Sequence, residues 1–113
     1  PPVTIDTLAT RIRGQVSPTT HLFPHGPNEI HRLGVVTGGA ARDVRRAIDA
    51  GCDAYLTGEA GEYSQATARE EGIHFIAAGH HRTERFGPRA LGDALAAQFP
   101  GLEVRFVDVD NPV

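Results

Sequence analysis

Three short apolar runs in this chain end alike. "VVTGG", "YLTGE" and "IAAGH" close on Gly38, Gly58 and Gly79, which are 20 and 21 residues apart. Between them lie "ARDVRRAIDAG" and "EYSQATAREEG". In the first, Val44, Ala47 and Ile48 share one helical face, and Gly51 suits a helix C-terminus. In the second, Gly72 is the stop signal. Strand-length runs alternating with helices predict an α/β domain with a mostly parallel sheet built from strand–helix units. Right-handed crossovers would bring the C-terminal ends of all three strands to one edge of the sheet. Open α/β sheets bind their ligands at that edge. Gly39, Glu59 and His80, far apart in sequence, are then expected to be neighbours.

The flanks add further elements. Ile5, Leu8, Ile12 and Val16 recur at steps of three and four, which predicts a helix from Thr4 to about Val16. Thr4 is its expected N-cap, and Asp6 lies in the first turn, where the helix dipole favours an anion. "THLF" and "EIHRLGVV" are expected strands, joined as a hairpin across "PHGPN". "PRALGDALAAQF" predicts a third strand-linked helix with Leu91, Ala94, Leu95 and Phe99 facing inward, and "EVRFVDV" a closing strand. At 113 residues the chain is the size of one domain. Residues 1–32 form a helix and the start of a hairpin, and residues 33–113 form the strand–helix units.

Charge narrows the function classes. The formal net charge is −3, and all eleven basic residues are arginine. Only Arg42, Arg45 and Arg46 cluster, and on a helix they are expected as a solvated face. A nucleic-acid surface usually needs a basic excess, so nucleic acid is not an expected partner. No apolar run nears the ~20 residues of a membrane span, so no membrane role is expected either. The single cysteine, Cys52, cannot form an internal disulfide, which favours a reducing, cytoplasmic setting. Its expected role is that of a buried structural thiol.

"AAGHHRTE" at 77–84 carries the most chemistry. His80 and Glu84 stand at i and i+4, on one face if the segment is helical. Imidazole with carboxylate suits zinc, iron or manganese. The alternative is a polar loop after a buried strand. In a helical start His81 faces away from His80, as a capping group or a residue supporting the metal ligands. Glu59, after Gly58, is an acceptor for a metal-bound histidine, a general base, or a helix-start carboxylate paired with the dipole. Thr83 is expected to satisfy free backbone donors. "TGGAARD" has glycines at a helix start but lacks the Gly-Lys-Ser/Thr of a P-loop, and a tight strand-to-helix turn is expected there. His74, between Ile73 and Phe75, is an expected core histidine. His21, His25 and His31 fit no metal spacing and are assigned to surface or turn roles.

At "DAYLTGE", "REEGIHFIAAGHHRTERFGPRAL" and "VRFVDVDNP" the chain resembles the Nif-three-like family, also catalogued as GTP cyclohydrolase 1 type 2. The resemblance runs from about Leu33 onward, and the first 32 residues fit more loosely. It implies an α/β fold with a two-metal site, a ring-shaped homohexamer and a nucleotide substrate. The family's late metal ligands fall on His80 and Glu84, with His81 and Glu59 as supporting candidates. Its other ligands, a His-His pair and an aspartate, belong to an N-terminal half. Family members are about twice this length, so the chain corresponds to the C-terminal part of such a protein. Two functions follow as alternatives: part of a two-metal hydrolase, or a non-catalytic oligomerisation or interaction module. A nucleotide-binding regulatory domain using "TGGAARD" is a third.

Overall fold

A computed structural model describes residues 1–112 of the chain. The elements run β1 (Val3–Thr4), α1 (Ile5–Gln15), β2 (His21–Pro24), β3 (Glu29–Ile30), β4 (Leu33–Val35), α2 (Val44–Asp49), β5 (Ala54–Thr57), α3 (Ser64–Glu71), β6 (His74–Ala77), α4 (His80–Glu84) and α5 (Phe86–Gln98). A 3-10 turn, Ala41–Asp43, leads into α2.

The main sheet has the order β2-β6-β5-β4. β4, β5 and β6 are parallel, as the strand–helix alternation requires, and β2 lies antiparallel on β6. The register explains the two-sided core. Leu22, Ile76 and Leu56 sit abreast, and Phe23, Phe75 and Tyr55 sit abreast one residue over. Successive strand residues point to opposite faces. The aromatic row packs with Val44, Ala47 and Ala68 of α2 and α3, and the aliphatic row packs with Ile12, Leu8 and Val16 at α1. Tyr55 meets Phe75 edge-on at 5.5 Å between ring centroids. β6 is covered on both faces, so Ile73 to Ala78 is continuously buried. That explains an unbroken apolar run rather than an alternating one.

α1 begins as its sequence requires: the Thr4 hydroxyl accepts from the Thr7 N–H at 3.3 Å. The Arg45 guanidinium pairs with Glu71 at 2.7 Å, and Arg42 lies over the Tyr63 ring, so the arginine cluster is a surface feature. Cys52 is half-buried against the aromatic-side core. His74 is a satisfied core histidine. Its Nδ1 accepts from the Gly26 N–H at 3.1 Å and its Nε2 donates to the Pro27 carbonyl at 2.8 Å, which fixes the Nε2–H tautomer.

Three expectations need correction. The hairpin is absent: β2 pairs with β6, and β3 pairs with β1. Leu22 and Phe23 bury more by joining the central strand than by pairing locally. α5 forms, but none of its residues is buried; Leu91 is 61% exposed and Phe99, just past its end, 50%. Its apolar positions have the right period, but among the described residues none of them is buried by another element. "EVRFVDV" is not a strand, because no sheet edge pairs with it. It runs as an extended tail beside α5, with Arg89 over the Phe106 ring and Arg85 paired to Asp108.

Candidate metal centre at the strand-end edge

The three strand ends converge and are bonded to one another. The Gly58 N–H donates to the Gly38 carbonyl at 3.0 Å, and the Gly79 N–H donates to the Gly58 carbonyl at 2.8 Å. The Thr57 hydroxyl adds a bond to the Gly38 carbonyl at 3.2 Å. Gly58 permits this approach. A Cβ there would lie 2.6 Å from the Gly38 carbonyl oxygen and 2.7 Å from the His80 Cα. Gly79 has φ +90, a backbone that disfavours side chains, and it turns the chain from β6 directly into α4. Thr83 then closes the arrangement: its buried hydroxyl accepts from the Gly38 N–H at 3.0 Å and donates to the Gly79 carbonyl at 2.9 Å. "TGGAARD" is thus a tight turn fastened to α4.

This framework assembles the polar side chains. His80 Nδ1 lies 2.6 Å from Glu59 Oε1, and His80 Nε2 lies 3.4 Å from Glu84 Oε2. Gly39 is beside them, since a Cβ there would be 3.3 Å from the His80 ring and 3.4 Å from Glu59. The expected neighbourhood of Gly39, Glu59 and His80 therefore exists. The hydrogen bond to Glu59 holds the His80 pKa above its ordinary value; burial opposes this and the Glu84 charge adds to it. His81 turns away toward Asp108, 3.7 Å from its carboxylate.

His80 and Glu84 have a separation suited to a shared cation. Two donors each about 2.0–2.1 Å from a tetrahedral zinc stand about 3.3 Å apart. The Glu59 contact to the other ring nitrogen is the kind that orients a ligating histidine. Among the described residues, no group of three or more His, Cys, Asp or Glu side chains is arranged to hold a metal ion. Among the described residues, the groups here that could hold a cation are His80 and Glu84, with Glu59 beside the imidazole.

His21 is the residue that sequence reasoning missed. It lines a cavity of about 430 Å³ together with Glu59 and His80. The hairpin assignment hid it. Had β2 been placed antiparallel beside β6, its first residue would have fallen at the edge where the parallel strands end. On the other side of His80 is a cavity of about 330 Å³ bounded by His80, His81, Glu84 and Asn111. A roomier groove between α5 and the tail, about 550 Å³, holds none of these residues.

The family described as Duf34/NIF3 (NGG1p interacting factor 3) matches residues 1–112. The chain belongs to the Duf34/NIF3 family. Its first 32 residues are included in that match. Curated relatives are similar along part of their length. A "GTP cyclohydrolase 1 type 2 homolog" of Pasteurella multocida is 44% identical over 98% of this chain and 44% of its own length. One of Haemophilus influenzae is 47% identical over 78% of this chain and 35% of its own length. This Duf34/NIF3 chain therefore spans less than half the length of the curated relatives it matches. Among solved structures, one described as protein ybgI, of unknown function, superposes with a TM-score of 0.91 at 38% identity, over all of this chain and 46% of that one. Among the described residues, no helix is long and apolar enough to cross a membrane.

Proposed function

We propose that this chain supplies one side of a two-metal hydrolase site of the GTP cyclohydrolase 1 type 2 type. The observation that carries the reading is the pair of donors on α4: His80 Nε2 facing Glu84 Oε2 at 3.4 Å, with Nδ1 held by Glu59. His80 and Glu84 would hold a zinc, iron or manganese ion. Such an ion supplies Lewis acidity and activates water. Glu59 fixes the imidazole's orientation, and the bonded glycine turns fasten α4 to the strand ends. The remaining donors are expected from another segment of the intact protein. A nucleotide substrate, a cytoplasmic setting and a homohexameric assembly complete the proposal.

The test is metal content in the protein as it is encoded. Elemental analysis of wild type should find bound transition metal, and His80→Ala and Glu84→Ala should each lose it. Glu59→Gln should keep the site but weaken it by roughly 10–100-fold, the usual cost of removing an orienting partner. Metal stoichiometry unchanged in His80→Ala would sink the proposal. Formate release from GTP tests the cyclohydrolase step.

A second reading, a non-catalytic assembly module, is favoured by one observation. Leu91, Phe99, Val107 and Val109 are large, apolar and half or more exposed on α5 and the following tail. Apolar side chains that form one contiguous exposed patch commonly mark an interface. A monomer by light scattering, together with micromolar metal binding by this chain, would count against this reading.

A further inference from the structure

β2 runs antiparallel to β6, so its first residue, His21, pairs with Ala77 at the end of the sheet where β4, β5 and β6 finish. His21, Phe23 and Ala77 share one face, since side chains two apart on a strand point the same way. Between that face and the turn after β5 lies the 430 Å³ cavity, with Thr19, His21 and Phe23 on one side and Glu59 and His80 on the other. The volume is that of a small-molecule site, roughly 300–1,000 Å³. Pro112 borders it from the tail. The two sides differ chemically. His80 and Glu59 are bonded to each other and the Thr19 hydroxyl lies 3.2 Å from Ser17 Oγ, whereas His21 is an exposed imidazole that can both donate and accept, and the Thr19 hydroxyl keeps capacity for one further bond. Phe23, half-buried against Phe75, adds the apolar edge it leaves exposed.

We propose that His21 and Thr19 are specificity-determining contacts for a planar, polar heterocycle bound in this cavity. Phe23 supplies apolar surface for the ring, and the imidazole and hydroxyl hydrogen-bond its edge. This rests on the hydrolase reading above, from which a purine base follows as the first ligand to try. The cavity places that ring beside His80, at the side opposite Glu84.

The experiment titrates guanosine and GTP into the zinc-loaded protein as encoded, by calorimetry, for wild type, His21→Ala, His21→Gln and Thr19→Val. Metal content and thermal melting are measured on the same samples. His21→Ala should weaken binding on the order of tenfold, the usual effect of losing one polar contact. His21→Gln, which keeps a donor and an acceptor, should retain part of it, and Thr19→Val should weaken binding less. Metal content should not change in any of the three. Wild-type affinity in both His21→Ala and Thr19→Val overturns the inference, as does a wild type that binds neither ligand. A wild type without metal whose guanosine binding still depends on His21 sinks the hydrolase reading and supports the subsite. If His21→Ala melts early, His21→Gln and Thr19→Val decide.

Discussion

The central strands and the C-terminal third of this chain carry apolar patterns of similar strength and opposite fates. Ile73 to Ala78 is buried at every position, whereas α5 has no buried residue at all. Both segments have the secondary structure their periodicity predicts. They differ in what covers them. β6 is flanked by β2 and β5 and has helices on both faces, while the Pro88–Ala96 stretch of α5 has the tail beside it. Periodicity reports the face an element wishes to bury; it carries no information on whether the covering surface belongs to the same chain.

The largest test of this contrast is a pair of truncations. Phe75 is fully buried, so Phe75→Ala should cost about 3–5 kcal/mol in urea denaturation. Leu91→Ala, on the exposed α5 surface, should cost less than about 0.5 kcal/mol. Equal costs would break the comparison and would mean that α5 is covered in solution, which a concentration series would expose. Gly58→Ala is next. Its Cβ would meet backbone from two other strand ends, so a loss of about 1–3 kcal/mol is expected. The same denaturation curves would show it.

A glycine in the other region should behave oppositely. Gly87 lies in α5 with open space where a Cβ would go, so Gly87→Ala should raise stability by up to about 1 kcal/mol through helix propensity. The smallest effect is expected from Asp53, just before β5. Its carboxylate accepts from the His31 and Arg32 N–H groups at 2.8 and 2.9 Å. Those bonds, the Arg32 one foremost, hold its pKa below the ordinary value. A depressed carboxyl stabilises the fold at neutral pH, and the contribution is lost as pH falls through the folded value. Between about pH 5 and pH 3 the wild-type melting temperature should therefore drop slightly more than that of Asp53→Asn. Parallel pH profiles for the two proteins would sharpen or remove this difference.

Much of the fold was legible because it is local. The stops at Gly51 and Gly72, the Thr4 cap and the three parallel strands all follow from spacing within about twenty residues. Glu59, Gly39 and His80 were brought together on paper by one long-range rule, the handedness of crossovers. The failures are non-local. "THLF" and "EIHRLGVV" look like a hairpin from sequence, but Leu22 and Phe23 find aliphatic and aromatic rows fifty residues away. That error removed His21 from the candidate edge. The closing tail alternates like a strand, yet strand character needs a ladder partner, and composition cannot say whether one is at hand. Gly-His-His-x-Thr-Glu was legible both as an i, i+4 pair and as a family motif. The second role of Thr83, clamping Gly38, depends on contacts that only the folded chain creates.

The bonds joining Gly38, Gly58, Gly79 and Thr83 have a consequence in time. Each links a different strand end to its neighbour, so none can break by the fraying of one loop. The amide protons of Gly38, Gly58 and Gly79 should exchange with solvent as slowly as those of the β6 core, in one cooperative unit. Amides of residues 104–110 should exchange orders of magnitude faster. The turns that carry His80 and Glu59 therefore keep their shape for as long as the sheet does, and are lost in the same event.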